Sequence, residues 1–594
     1  MLDLSKSYEE NVFKSYLIKF LPDDFVYNKI DIKINDDHKY FKSAQQIGTV
    51  ESLDDLVVIQ VERLRAEKSR TSITKELFKF LENIGYSKAL IITFSKSEAH
   101  YRLSYIKSDL NWISETKVKR KFTNPKRLSF LLGENQRIHT ATKQLVRSGK
   151  IKSLEDLNSR FNIEVINKEF FDNYIDLFNQ LSSYLNKDKE FKLFAKLNKI
   201  DIEVFAKKLI GQIVFCYFLQ KKGWLGAKID EEIYEGDLNF IRNQFNSYSK
   251  KKNFFNDFLE PLFYKGLNKK NKNDFCKDLN CKIPYLNGGL FQEIENYSWK
   301  DSFLNIPNSL FSNKDENGIL DIFDLYNFTV DESSDFDVEI AVDPEMLGYI
   351  FENLLPENIK KKHGAHYTPK EIVEYICKKS VSEYLRINLS EKFHNDVDVL
   401  IDYARFPDET IRLAENNIKD IKFDKNFLLE VDLLIENIKI CDPAVGSGAF
   451  IIGALNFIVN IKKITFYFSK KRTLTDLYEL KRNLIENNIF GIDKDYGAIE
   501  TCKLRLWLSL TIDEENTVKP LPNLDFRIIQ GNSLIEEFEG INLDINVEKG
   551  SQLELISENN SKSEDIQNLY NLQKTFFNET DLENKKKIIK KINK

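Results

Sequence analysis

The stretch Ile440–Phe450, reading ICDPAVGSGAF, constrains the fold more than any other part of the chain. Apolar residues precede it at Leu433-Leu434-Ile435 and again at Ile438 and Ile440, a pattern read as a buried strand. IIGALNFIV follows, with apolar residues at helical spacing. Gly446 and Gly448 mark the turn between them. Strand, Gly-rich turn and helix form the layout of a nucleotide-type site at the carboxyl edge of a parallel sheet. Glycine lets the backbone take torsions closed to other residues and approach a ligand closely. Amides at the start of the helix are expected to face a polar group of that ligand. The string lacks the Lys-Ser/Thr of a phosphate-cradling loop and the third glycine of the dinucleotide fingerprint, so neither of those sites is expected.

The rest of the chain must house this element. At 594 residues it exceeds a single core, and three or four domains are expected. A hydrophobic share of 42% and a charged share of 30% are globular values. The net charge of −5 means that any nucleic-acid surface must be local. Cys216, Cys276, Cys281, Cys377, Cys441 and Cys502 are scattered, and no second pair completes a zinc pattern. Reduced thiols in a cytoplasmic protein are expected. The opening MLDLSKSYEENVF has no apolar core flanked by basic residues, and no transmembrane span is expected.

Residues 1–150 read as an α/β domain. Leu56–Val61, Ala89–Phe94 and Tyr101–Ile106 are strands, and Ser72–Ile84 is an amphipathic helix. Glu62 at a strand end is similar to the carboxylate of a restriction-nuclease core, where carboxylates and a lysine hold magnesium and a water. The expected Glu-x-Lys is here Glu62-Arg63-Leu64, so a degenerate nuclease-like domain is expected. Residues 101–160 carry 14 Lys+Arg against 5 Asp+Glu. A charge run is ordinarily a solvated face. The densest part, KVKRKFTNPKR, is the candidate for a phosphate-backbone footprint through Lys117, Lys119, Arg120, Lys121, Lys126 and Arg127. Residues 151–340 read as a helical connector, with a Ser cap opening SLEDLNSRF and a buried helix over Val204–Phe218. PYLNGGLFQ, 284–292, reads as a Gly-Gly turn.

Nine phrases then occur in one order: RLSFLLGENQRIHTATKQL, FCYFLQKKGWL, YLNGGLFQ, LYNFTVDES, VDPEMLGYIFENLL, HGAHYTPKEIV, CDPAVGSGAF, IFGIDKDYGAIETCKLRLWLSL and LPNLDFRIIQGNSL. In that order they resemble the Type IIG-like restriction–modification enzymes, large adenine-specific (N6) DNA methyltransferases with a nuclease-like N-terminal region. The Asp-Pro-x-x-Gly-x-Gly-x-Phe string resembles their S-adenosylmethionine loop, with Val445 in place of the usual cysteine. The resemblance implies an α/β architecture of nuclease-like domain (1–150), helical connector (151–340), Rossmann-like methyltransferase part (341–540) and charged helical tail (541–594). It also implies double-stranded DNA as partner.

The resemblance implies roles for particular residues. Tyr367, Thr368 and Pro369 would sit against the methionine end of S-adenosylmethionine, with Thr368 capping a helix and Pro369 in its first turn. Asp442, Pro443, Gly446, Gly448 and Phe450 form the loop. Asp493, closing the strand of IFGID, would accept the ribose hydroxyls. Asp495 is a helix cap, and KKITFYFSKKRTLTDLYELK fits one long helix or two. Asn532 stands where aspartate usually meets the adenine amino group; its amide oxygen can still accept.

One part of the pattern is not in these residues. The resembling enzymes hold the flipped adenine with an Asn/Asp-Pro-Pro-Tyr/Phe loop. None of the twelve prolines here has proline beside it. The expectation is a methyltransferase cut short before that loop, by a frameshift, a split gene or a fragment boundary, with a second polypeptide as one candidate carrier of the base-holding loop and target-recognition part. The alternative is a non-catalytic subunit, or a remnant of a restriction–modification or phage-defence protein, that binds S-adenosylmethionine or DNA.

Overall fold

A computed structural model describes residues 3–34, 40–64, 70–112, 120–250, 252–286, 291, 297–299, 304–329, 337–344, 346, 368–407, 410–411, 414, 421–512, 518–535, 537–538, 541–542, 560–579 and 581–592. The fold is mixed α/β, as the sequence implies. The chain divides into two compact units, residues 1–181 with 307–343, and residues 182–306 with 344–594.

The first unit is built on a seven-stranded mixed sheet. Helix α1 (Glu10–Phe20) leads into strands β1 (Val26–Ile32), β2 (Phe41–Val50) and β3 (Leu56–Arg63). Helix α2 (Arg70–Ile84) crosses over to β4 (Lys88–Phe94), which runs parallel to β3; β5 (His100–Trp112) and β6 (Arg120–Gly133) follow as an antiparallel pair. Helices α3 (Leu154–Arg160) and α4 (Ile163–Lys187) come next, and β7 (Asp337–Glu339) returns to pair parallel with β6. The order is β1-β2-β3-β4-β5-β6-β7. Leu56–Val61 is buried on both faces because α2 covers one side, setting Ile73, Leu77, Phe80 and Leu81 against Val57, Ile59 and Val61. Each of those side chains contributes about 1.5–3 kcal/mol on burial. The Ser153 hydroxyl accepts from the Asp156 N–H at 3.2 Å and caps α3 as its sequence implies.

The second unit contains helix α5 (Ile202–Lys221), buried almost all round, and a parallel three-stranded sheet. The sheet is served by α6 (Lys370–Asn388), α7 (Lys425–Asn437), β8 (Ile440–Asp442), α8 (Ala449–Lys470), α9 (Leu477–Asn487), β9 (Ile489–Asp493), α10 (Tyr496–Thr511) and β10 (Ile528–Gln530). Its order is β8-β9-β10. Two helices, α11 (Asn560–Asn578) and α12 (Leu582–Ile592), end the described chain.

One sequence expectation needs correction. Leu433-Leu434-Ile435 is not strand but the last part of α7. Asp424 caps that helix through Asn426 and Phe427, and Phe427, Leu428, Val431 and Ile435 recur at helical spacing on its buried side. The strand proper is only Ile440–Asp442. Helix α8, 22 residues of mean hydropathy 1.5 in its most apolar window, is long and apolar enough to cross a membrane. Much of it is buried inside the unit, packed on α6 and α7, as a core helix would be. The segment between Gly446 and Asp493 resolves into two helices, α8 and α9.

Candidate functional site

The site forms where β8, β9 and β10 end. Asp442 closes β8, and its Oδ1 accepts from the Ala444 N–H at 3.0 Å, starting the turn. The Val445 amide donates to the Ile492 carbonyl at 2.9 Å. The Gly446 amide donates to Asp493 Oδ2, and the Asp495 amide to Asp493 Oδ1, both at 2.8 Å. The Gly531 amide donates to the Asp493 carbonyl at 2.8 Å, and the Ser533 hydroxyl to the Pro443 carbonyl at 2.8 Å. Asp493 is therefore the hub that ties the Gly turn of β8 to the helix start after β9. Each of its oxygens spends one acceptor site on a backbone amide and retains another.

The glycines are required for different reasons. Gly446 and Gly448 lie at φ of +52° and +88°, where side chains are disfavoured. A Cβ on Gly448 would also stand 2.6 Å from Cys502 Sγ on α10. Gly491, within β9, is a third: a Cβ there would meet Val445 Cγ2 at 2.9 Å. Sequence reading missed Gly491, because a lone glycine in a strand carries no signature beyond close approach.

Four amides of the turn are spent within the protein: that of Ala444 on Asp442, that of Val445 on the Ile492 carbonyl, that of Gly446 on Asp493, and that of Gly448 on the Val445 carbonyl at 2.8 Å. The open valence lies elsewhere. Asp442 Oδ2 is buried and has no hydrogen-bond partner among the described residues. Burial pushes the Asp442 carboxyl above its ordinary range, and the Asp493 charge adds to the effect. A buried carboxylate oxygen left unsatisfied is costly unless a donor reaches it, so the site fits a ligand that brings an ammonium or hydroxyl.

The remaining candidate residues fall as follows. Tyr367 lies outside the described residues. Pro369 is itself the N-cap of α6, its carbonyl accepting from Ile372 and Val373 at 3.0 and 3.1 Å; Thr368 precedes it and makes no side-chain cap. Helix α6 leans on the start of α8: a Cβ on Gly453 would meet Val373 Cγ1 at 2.7 Å, and Cys377 Sγ donates to the Phe450 carbonyl at 3.5 Å. Phe450 packs against the Val373–Cys377–Ala454 cluster. Asn532 is exposed, its Oδ1 accepting from the Leu534 N–H at 3.2 Å. Asp495 caps α10 through the Ala498 amide at 2.8 Å, as expected. The Gly-Gly turn of 284–292 falls largely outside the described residues.

The first unit holds the other candidate, a cleft of about 700 Å³ beside Glu62. Glu62 Oε1 is 2.8 Å from Lys42 Nζ and 4.0 Å from Lys96 Nζ. Two residues back, on the same face of β3, Gln60 is buried. Its Oε1 accepts from the Tyr8 hydroxyl at 2.7 Å, and its Nε2 donates to Gln45 Oε1 at 2.5 Å and Glu10 Oε2 at 3.3 Å. Gln60 was missed in the sequence, although strand alternation puts it beside Glu62. Arg63 pairs with Glu98 at 2.6 Å. Among the described residues no three His, Cys, Asp or Glu side chains are placed to hold a metal ion.

The basic run divides. Lys117 and Lys119 lie outside the described residues. Arg120 and Lys121 open β6, in register with Trp112 and Asn111, and Lys126 is half-buried opposite Lys107. Arg127 is corrected. It is fully buried, donating to Ser104 Oγ at 3.0 Å and Thr74 Oγ1 at 2.8 Å with Asp337 4.0 Å away, so it contacts no phosphate.

Known proteins similar to this chain share one description. The chain is 34% identical over 364 residues to a putative type II restriction enzyme and methyltransferase of Methanocaldococcus jannaschii, RM.MjaORFECS2P, a match covering 57% of this chain and 28% of the relative. It is 38% identical over 120 residues to the type II restriction enzyme and methyltransferase RM.Eco57I of Escherichia coli, covering 18% of this chain and 12% of the relative. The chain is thus similar to type II restriction enzymes that are also methyltransferases, and the matches span 28% and 12% of their lengths. No family model matches. Among solved structures, the Type IIL restriction-modification enzyme MmeI in complex with DNA aligns with a TM-score of 0.37 at 15% identity, covering 63% of this chain and 41% of that one. The DrdV–DNA complex aligns at 0.24 and 12% identity, covering 82% and 34%. Neither score reaches that of a shared overall fold.

Proposed function

We propose that this chain carries the cofactor-binding part of an adenine-N6 DNA methyltransferase of a restriction–modification system. One observation carries the reading: at the carboxyl ends of three parallel strands, a Gly turn clamped to Asp493 leaves a buried carboxylate oxygen of Asp442 without a donor among the described residues. S-adenosylmethionine, bound there, would supply the methyl group from its sulfonium. Asp442 Oδ2 would take the ammonium of the methionine end, with Tyr367, Thr368 and Pro369 walling that end. Asp493 would use its remaining acceptor sites for the ribose hydroxyls, and the amide oxygen of Asn532 would take the adenine amino group. The turn itself makes no ligand bonds through the four amides already spent; its part is to bring the backbone close.

The base-holding loop is not among these 594 residues, so we assign this chain cofactor binding and place the adenine-holding step on a further segment or a second polypeptide. Double-stranded DNA is the proposed partner. The test is isothermal titration of the full chain with S-adenosylmethionine. Binding that Asp493→Ala and Asp442→Asn weaken supports the reading; no heat from a folded wild-type chain removes it.

A further inference from the structure

Helix α12 takes no part in either site described above. It reads LENKKKIIKKI over Leu582–Ile592. Asp581 starts it, its Oδ1 accepting from the Asn584 amide at 2.9 Å and its carbonyl from the Lys585 amide at 2.9 Å. Lys585 is buried, and Ile588 and Ile592 are half-buried. Those three positions recur at helical spacing and mark the inner side. The opposite side carries Lys586, Lys587, Lys590 and Lys591, all exposed.

The helix is held in place. It packs back on α11, and the end of α11 is fastened to the stretch before β10. Asn523 Nδ2 donates to the Phe576 and Glu579 carbonyls at 2.6 and 2.9 Å, and the Phe526 ring meets Phe576 edge-on at 5.0 Å. Asn578 Nδ2 donates to Glu486 Oε1 at 3.2 Å, just before β9. The Asp525 and Glu579 charges act on buried Lys585. These anchors precede β9 and β10, so α12 is fixed toward the amino ends of those strands, away from the Gly turn.

Its outer charge is not neutralised. Lys587, Lys590 and Lys591 have no ion pair among the described residues. Residues 584–594 hold six lysines and no acid. Like charges four positions apart, as in Lys586/Lys590 and Lys587/Lys591, weaken a helix. The helix dipole offsets this for Lys590 and Lys591 in the last turn and not for Lys587. A polyanion laid along the face removes the repulsion. Lysines four apart stand about 6 Å apart along the axis. Duplex DNA meets that spacing with a charge about every 1.7 Å of its own axis. A lysine is a point charge without a fixed fork, suited to phosphates, which carry no sequence information. Protein interfaces are depleted in lysine and rich in aromatics, and α12 has no aromatic residue.

We propose that the lysine face of α12 is a sequence-independent contact for the phosphate backbone of duplex DNA, made outside the Gly-turn site. The choice of DNA rests in part on the reading under Proposed function; the polyanion chemistry does not.

The experiment measures fluorescence anisotropy of a labelled mixed-sequence duplex with the full chain across a salt series. Wild type is compared with a triple variant, Lys587→Ala, Lys590→Ala and Lys591→Ala, and with the same three positions changed to Arg. The control is Lys189→Ala, Lys192→Ala and Lys196→Ala, three exposed lysines of helix Lys189–Asn198 whose loss changes the net charge equally. The alanine variant of α12 is expected to bind roughly tenfold more weakly, with a slope of log K against log salt smaller by about two to three. The arginine variant and the control should stay near wild type. An unchanged slope in the alanine variant, an equal loss in the control, a loss in the arginine variant, or no duplex binding by folded wild type overturns the proposal. So does poly-L-glutamate that displaces the duplex as readily, charge for charge, as unlabelled duplex, which makes the partner an acidic protein. Calorimetry with S-adenosylmethionine keeps the two readings apart: the lysine face stands or falls on the duplex data, whatever that titration shows.

Discussion

The Gly turn after β8 and the cleft beside β3 are both built from carboxylates near strand ends, yet they stand in opposite states of satisfaction. In the first, Asp442 keeps a buried oxygen with no donor among the described residues. In the second, three of the lining carboxylates have found a cation or an amide. Glu62 has Lys42, Glu98 has Arg63, and Glu10 has Lys29 at 2.7 Å together with Gln60. The Lys29 bond holds the Glu10 carboxyl below its ordinary range. A protein leaves a buried valence open at a cost, and a ligand recovers that cost. A closed network has nothing left to offer one. By this measure the turn offers the proposed ligand an open acceptor, and Glu62, Glu98 and Glu10 of the cleft offer none.

The comparison breaks most visibly at Gly448. Alanine there must adopt φ near +88° and put its Cβ 2.6 Å from Cys502 Sγ, a buried contact with little room to yield. The left-handed backbone and the overlap together are expected to cost about 2–4 kcal/mol in denaturant unfolding. Gly149→Ala, at φ +73° with open space around it, carries the backbone part alone and should cost about 1–2 kcal/mol. Equal losses at the two positions would mean that α10 does not press on the turn as described.

Asp493→Ala comes next. It removes both amide clamps and the acceptors proposed for the ribose, and should weaken S-adenosylmethionine binding by about 1.5–3 kcal/mol. A calorimetric titration indistinguishable from wild type would leave Asp493 a purely structural hub.

Asp442 sharpens the same contrast through pH. Its pKa is raised, so acid neutralises it sooner than an ordinary carboxyl. Binding of an ammonium needs the charged form, so that contribution is present above the folded pKa and is lost as pH falls through it. Wild-type affinity should therefore fall on acidification from neutrality, while Asp442→Asn, about 1–2 kcal/mol weaker at neutral pH, should show a flatter profile. Parallel profiles would take Asp442 out of the ligand's reach.

Much of this was legible in the sequence, and the failures have physical causes. The Asp-Pro-x-x-Gly-x-Gly-x-Phe string found the turn because its chemistry is local. Asp493 and Asp495 were readable for the same reason, each at a strand end or helix start. Leu433–Ile435 was misread because a short apolar run fits strand or helix alike, and the deciding Asp424 cap lies nine residues upstream. Arg127 looked like part of a solvated basic run. Its partner Asp337 arrives 210 positions later on β7, a parallel edge strand that no local pattern announces. The spent amides of the turn were invisible for a similar reason: Asp493, which takes one of them, is 47 residues away.

The smallest expected effect is at the cleft, where replacing Glu62 should change nothing in DNA integrity. Magnesium is held by carboxylates and water in octahedral geometry, and a neutral amide is a poor substitute. Here Gln60 stands on the face of β3 where a second carboxylate would complete a pair with Glu62, and both ends of its amide are already bonded. Glu62 itself is neutralised by Lys42. Arg63 lies on the alternate position and remains protonated, so it cannot serve as a base. Leu64, where a lysine was sought, is half-exposed and carries no charge. A supercoiled plasmid incubated with the full chain and magnesium should stay supercoiled, with wild type and Glu62→Ala alike. Nicking by wild type that Glu62→Ala abolishes would show that the closed network opens to admit a metal ion. The contrast between an open and a closed site would then fail at the closed one.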